Sequence, residues 1–325
     1  MPQYPKIIMI YLKKYWYFLL LALAVRLLVG AFTFHEDVRA SATASFVYLE
    51  LKELDPYKRS FEIAPQELLN YLPLSYLISL PFHQLGRIIV DPETERIFLT
   101  NQNLLLGNPK MWIYLIYVKL PFIIFDIGIG ILLSLIVQSI YQKKALLLWL
   151  FNPFSIWVSS AIGQYDVYLV FFISLCIYFI QKGKLYPAAL ALGLGAATKS
   201  APFLLLPLLI GLSINYKERF KMILLSILPY IITVAPYLTS SSFRKDAFLA
   251  PQMQKMFYAH IPLSGGESIL IVPSLILFLY LIYFLRDRTK EDFMSFSIII
   301  LLSIFAFTHF HIQWLLWIMP LLIIF

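Results

Sequence analysis

A chain of 325 residues that is 60% hydrophobic and only 14% charged, with a mean hydropathy of +0.78, cannot cover a soluble surface, which takes about 25% charged residues. The net charge of +8 falls in short Lys/Arg clusters between apolar runs, the pattern of cytoplasmic membrane loops and not of a nucleic-acid surface. The chain reads as one integral membrane domain over 1–325.

In chain order, runs of roughly 20 apolar residues predict spans over about 15–34, 113–140, 145–162, 167–181, 185–214, 222–239, 267–285, 293–309 and 311–325. The expected fold class is all-α, a polytopic transmembrane helix bundle. The first run is long, contains Arg26 and lacks a small-residue cleavage exit, so it reads as a retained span. The basic clusters are Lys6/Lys13/Lys14, Lys143/Lys144, Lys182/Lys184, Lys217/Arg219/Lys221 and Arg286/Arg288/Lys290. All five lie in the cytoplasm only if an even number of crossings separates neighbours. The run 185–214 must then cross twice. It breaks at "AATKSAPF", where Lys199 is a charge and Pro202 restricts the backbone before it. "NYLPLSYLISLPFHQLGRIIV" (70–90) must not cross, and reads as an amphipathic or re-entrant element of the outer leaflet. About ten crossings follow, with both termini inside, a long extracytoplasmic loop over 35–112 and a second over 240–266. Long structured loops are usually functional, so the working face is expected outside, at the cell membrane.

Charges inside spans each cost about 2.5–3.5 kcal/mol on insertion scales, and Arg26, Lys119, Asp126 and Lys199 all lie within apolar runs. Arg26 and Asp126 read as pairs that fix helix packing. Lys119 and Asp126, seven residues apart, share a helix face. Lys199, beside a proline at a helix end, reads as a cation for an anionic ligand. "SSAIGQYDVYLVFF" sets Gln164 and Asp166 at the outer exit of a span. Gln164 can donate to a phosphate or sugar oxygen; Asp166 can accept from sugar hydroxyls or orient Lys199.

"FHEDVRASATASF" places Glu36 and Asp37 just beyond the first span, pointing about 100° apart on a helix. Either could serve as a base, or both could be solvated surface acids. "THFHIQWLLW" offers His309, His311 and Gln313. Metal ligation, contact with a phosphate or sugar, and interfacial packing all remain open for the two histidines, while the Trp residues fit an aromatic belt. Cys176, the one cysteine, lies in an apolar run and reads as a packing residue. There is no P-loop, no dinucleotide glycine fingerprint and no G-x-S-x-G elbow, and the inner loops are too short to hold a nucleotide sugar.

In order, "LLALAVRLLVGAF" with "HED", "LDPY", "NYLPLSYLISLP", "KLPFIIFDIGIGILL", "LFNPFSIWVSSAIGQYDVYLVFF", "ALGLGAATKSAPFLLLPLL" and "HFHIQWLLWIMPLL" resemble the GT-C glycosyltransferases. The likeness is to the mannosyltransferase-like branch that takes sugars from polyprenyl phosphate, and it covers nearly the whole chain. Its most specific parts are Asn152 to Asp166 and the Lys199 segment. The resemblance implies an inverting hexosyltransferase acting on the outer face. It implies a base at Asp37, or Glu36 if the alignment slips by one. It also implies a lysine before a proline-bearing helix at Lys199, and a Gly-Gln-x-Asp turn at Gly163, Gln164 and Asp166. The implied partners are a polyprenyl-phosphate sugar donor, a glycan, glycolipid or protein acceptor, and membrane lipid. Mannose is the implied sugar. No metal or other cofactor is expected, because a lysine can take the phosphate charge. Leu72 stands where the family carries a proline, which puts the acceptor side in question, and the sequence ends at Phe325 where many members have further spans.

A secondary transporter is the main alternative, but it would show inverted repeats and polar residues at the midplane, and neither is visible in the hydropathy. A lipid-linked glycan ligase or a flippase partner is a second alternative, and would need a large acceptor groove.

Overall fold

A backbone in lipid must satisfy its hydrogen bonds internally, so the apolar runs become helices. In the computed structural model, which describes residues 3–64 and 69–325, the chain is mostly helical. α1 (Gln3–Phe32) runs into a region of four helices, α2 (Glu36–Leu49), α3 (Pro56–Ile63), α4 (Pro73–Gly86) and α5 (Pro92–Asn101), before α6 (Pro109–Ile136) returns through the bundle. Next come α7 (Gln142–Leu150), α8 (Pro153–Ile156), α9 (Asp166–Gln181), α10 (Leu185–Thr198), α11 (Leu206–Gly211) and α12 (Tyr216–Val234). The bundle closes with α13 (Ile271–Phe284), α14 (Lys290–Phe307) and α15 (Met319–Ile324). The end where α1 meets α2 is called the loop end below.

Among the described residues, three helical stretches are long and apolar enough to cross a membrane: Lys13–Phe32, Pro109–Ile136 and Tyr216–Tyr237. This is the make-up of a membrane protein. The remaining apolar helices are shorter; α10, at 14 residues, rises about 21 Å against about 30 Å of hydrocarbon. Among the described residues, length and composition together therefore identify three spans where about ten were expected.

Several elements differ from the sequence-based expectation. The expected span 145–162 is broken into α7, α8 and a π-helical turn over Trp157–Ala161. Pro153 cannot donate in the helical ladder, and the Asn152 side chain instead accepts from the Phe154 N–H at 2.9 Å. The expected span 311–325 begins as a 3₁₀ helix over Ile312–Trp317, with Pro320 opening α15. The segment 240–266, expected as a second outer loop, is structured. It carries a π turn, Phe243–Phe248, a 3₁₀ helix, Pro251–Phe257, and one strand of an antiparallel hairpin, β1 (His260–Pro262) with β2 (Ser268–Leu270). Gly265 and Gly266, with φ of 76° and 82°, make the reversal that a side chain would strain. The fold is thus all-α but for this hairpin.

The largest apolar cluster fills the bundle around Val158, Leu169, Ile173, Leu192, Ile300 and Leu316. Two more lie beneath the loop region, one with Val38, Phe98 and Tyr114, the other with Tyr57, Tyr76, Phe122, Tyr165 and Phe243. α4 is stitched to the bundle by the Ser75 hydroxyl, which donates to Thr198 O at 2.9 Å, and by a Ser79–Tyr168 hydroxyl pair at 3.0 Å. The loop region is thereby fixed to the last residue of α10, immediately before Lys199.

The interior charges find partners. Arg26 Nε donates to Asp126 Oδ2 at 2.6 Å, and its other nitrogens reach Leu150 O at 2.7 Å and Ser155 Oγ at 3.3 Å. Trp149 Nε1 and Ser159 Oγ donate to the same carboxylate at 2.9 and 3.1 Å. Lys119 does not turn to Asp126, although the two share a face. Its ammonium donates to Gly30 O, Thr33 O and Ala161 O at 3.2, 2.6 and 2.9 Å. Lys119 therefore ties the end of α1 to the end of the π turn, and both of those ends lead directly into the site.

Candidate functional site

The site is built from four chain reversals at the loop end. At the first, His35 caps α2, its Nδ1 accepting from the Asp37 N–H at 3.2 Å. Two acids in the first turn complement the positive end of the helix. They diverge from there. Glu36 is exposed and pairs with Arg39, one turn along. The Asp37 carboxylate, 28% exposed, lines a cavity of about 380 Å³, and Glu36 does not.

At the second reversal, Gly163 adopts φ of +64°, and a Cβ there would lie 2.8 Å from Val38 Cγ2. Only glycine allows that approach, and it brings the next residue beside Asp37. Gln164 is fully buried. Its amide nitrogen donates to Asp37 Oδ2 and its amide oxygen accepts from the Tyr71 hydroxyl at 3.3 Å. Burial, with Asp37 and Asp166 nearby, holds the Tyr71 phenol well above its ordinary pKa, which keeps it a donor. Gln164 thus gives one amide N–H to the carboxylate, and being fully buried and outside the cavity wall it does not present the other to a phosphate or sugar oxygen.

The third reversal gives the cation. Lys199 caps α10 in extended backbone, and its ammonium donates to Asp166 Oδ1 at 2.9 Å. Asp166, fully buried at the start of α9, also accepts from Trp317 Nε1 at 2.6 Å. Of the two roles expected for Asp166, orienting Lys199 fits this geometry; a carboxylate with no exposure does not meet a sugar hydroxyl. Three rings surround the Lys199 ammonium, with centroids at 5.6 Å for Tyr71 and 5.0 Å for each of Trp314 and Trp317, within cation–π range. Lys199 remains 22% exposed and lines the same cavity as Asp37.

The fourth reversal, between α14 and α15, divides the histidines. His311 and Gln313 line the cavity, whereas His309 is exposed and does not. His311 Nε2 lies 3.0 Å from the Lys255 ammonium. Burial and the adjacent Lys255 and Lys199 charges push its pKa below the ordinary histidine value. Among the described residues no group of three or more His, Cys, Asp and Glu could hold a metal ion.

A second cavity, of about 370 Å³, adjoins the first through the shared Lys199, Ser200 and Trp314, and its wall is mainly apolar, with Phe203, Leu204, Met256 and Ile304. The chemistry of the arrangement is a carboxylate held by an amide, a caged ammonium and a greasy annex. A further depression, of about 770 Å³, lies beside Lys143 and Lys144 and has no carboxylate in its wall. Tyr71, Trp317 and Lys255 were not foreseen as site residues. The spacing "WLLW" at the end of an apolar run was the one signal available, and it reads equally as an aromatic belt.

No family model, curated protein or solved structure matches this chain.

Proposed function

We propose that the protein is a membrane-embedded inverting glycosyltransferase of GT-C type, moving a hexose such as mannose from a polyprenyl-phosphate donor to a lipid-linked glycan, glycolipid or protein acceptor on the extracytoplasmic side. The observation that carries this reading is the convergence of Asp37, Lys199, His311 and Gln313 on one cavity that continues into an apolar one. A charged head with a long apolar tail suits that pair of spaces.

In the reaction, the acceptor hydroxyl attacks the anomeric carbon and the bond from that carbon to the phosphate oxygen breaks. The acceptor proton passes to Asp37, a transfer worth about 10²–10⁴-fold when the base is positioned. Gln164 holds one carboxylate oxygen, leaving the other for the acceptor. The leaving phosphate takes the electron pair, and a cation fixed beforehand lowers the cost of that charge. Lys199 fills this role, its direction set by Asp166 and its cage of rings. Since the phosphate already activates the sugar, no nucleotide is needed.

The test is turnover of synthetic polyprenyl-phosphate-mannose and polyprenyl-phosphate-glucose by the purified protein in detergent, with lipid-linked acceptors. Release of polyprenyl phosphate with sugar on the acceptor is expected. Solute movement that requires sealed vesicles, with no bond cleaved in detergent, would instead identify a transporter.

A further inference from the structure

Four charged side chains bear on the two adjoining cavities: Asp37 and Lys199 in the wall of the first, Lys199 and Lys255 in that of the second, and Asp166 paired to Lys199. Lys199 is committed to Asp166 at 2.9 Å. Asp37, in the wall of the first cavity and not of the second, is held by Gln164. Lys255 differs from all three. It reaches in from the 3₁₀ helix Pro251–Phe257, and among the described residues it pairs with no carboxylate; its ammonium donates to His311 Nε2 at 3.0 Å. It also sits 5.6 Å from the centroid of Trp314, the ring that Lys199 approaches to 5.0 Å. The two ammonium groups are therefore no farther apart than those distances added. Two like charges gathered around one indole repel each other, and among the described residues only Lys199 of the two is paired with a carboxylate. An anion seated at the junction would relieve that repulsion.

We infer that Lys255, with His311, is an anion-binding element of this site, and that its ligand is a phosphate group borne on an apolar chain. Identifying the anion as a lipid phosphate rests on the glycosyl-transfer reading; the uncompensated charge and its placement do not. Lys255 lines the apolar cavity and His311 the polar one, so an anion resting across this hydrogen-bonded pair has its chain on one side and its head group on the other. That sets an order through the site: carboxylate, sugar, phosphate, chain. The outer loop 240–266 then supplies half of the phosphate seat rather than only covering it.

The experiment is equilibrium binding to the whole protein in detergent with three probes: polyprenyl phosphate, the matching polyprenol and inorganic phosphate. Wild type is expected to prefer the lipid phosphate to the alcohol by about 10–100-fold, the worth of a charge-assisted hydrogen bond. Lys255→Gln should remove most of that preference and leave polyprenol affinity unchanged, while Lys255→Arg should retain it. An unchanged preference in Lys255→Gln, an equal loss for phosphate and alcohol, or no preference in wild type would each overturn the inference. Inorganic phosphate competing as strongly as the lipid would overturn the chain-borne part. The two readings separate cleanly. Lys255-dependent lipid-phosphate binding without sugar transfer would leave this inference standing and sink the transferase. Transfer by Lys255→Gln at an unchanged donor KM would do the reverse.

Discussion

Two groups of charge, one around Arg26 and Asp126 and one around Asp37 and Lys199, differ in what they leave open. Around Arg26 and Asp126 every polar group is turned inward: guanidinium, carboxylate, indole and two serines satisfy one another, and both charged residues are fully buried. At the loop end, Asp37 and Lys199 are just as firmly held, by Gln164 and Asp166, yet both face a cavity. Both groups are costly in a bilayer. A closed network can only hold the fold, whereas a held charge with an open face is placed to meet a ligand. Lys119 joins the two, since its three carbonyl contacts lock the chain ends from which Asp37 and Gln164 project.

The strongest way to break this distinction is at Asp37. Asp37→Asn should lower turnover about 10²–10⁴-fold while donor binding and thermal unfolding in detergent stay as in wild type. Near-normal turnover would remove the carboxylate from the mechanism. Asp126→Asn should behave in the opposite way. It strands the Arg26 charge in the interior, a defect worth about 3–5 kcal/mol, so the unfolding midpoint falls. Turnover per folded molecule should remain close to wild type.

Much of the fold was legible because apolar runs in lipid have little choice but helix, and α6, α9, α12 and α14 lie within a few residues of their expected positions. The break between α7 and α8 was hidden by the continuous apolar character of the run, although Pro153 stands in it. In the site, Gln164, Asp166 and Lys199 stood out as polar residues in greasy surroundings. Glu36 and Asp37 could not be separated in the sequence: adjacent acids differ only in the direction the helix cap gives them, and Glu36 falls one turn from Arg39. Lys255 lies in "PQMQKMFYAH", a stretch with the polarity of any membrane-surface loop. Only the folded arrangement puts it against His311.

Smaller effects sharpen the same contrast. Gly163→Ala forces a left-handed conformation, costing about 1–3 kcal/mol, and pushes a methyl group toward Val38. Both unfolding and turnover should suffer, because Gln164 would shift from Asp37. Unaltered turnover would show that the Gln164 contact is dispensable. Glu36→Gln loses only an exposed ion pair with Arg39, so turnover should change by no more than about twofold. An inactive Glu36→Gln beside an active Asp37→Asn would move the base by one residue.

The most direct measurement follows the anomeric carbon. With a single carboxylate acting as base and the lipid phosphate leaving from the opposite face, NMR of the product should show an inverted anomeric configuration, with one polyprenyl phosphate released for each sugar transferred. A retained configuration, which requires a covalent intermediate on the protein, or donor moved intact without release of polyprenyl phosphate, would contradict it.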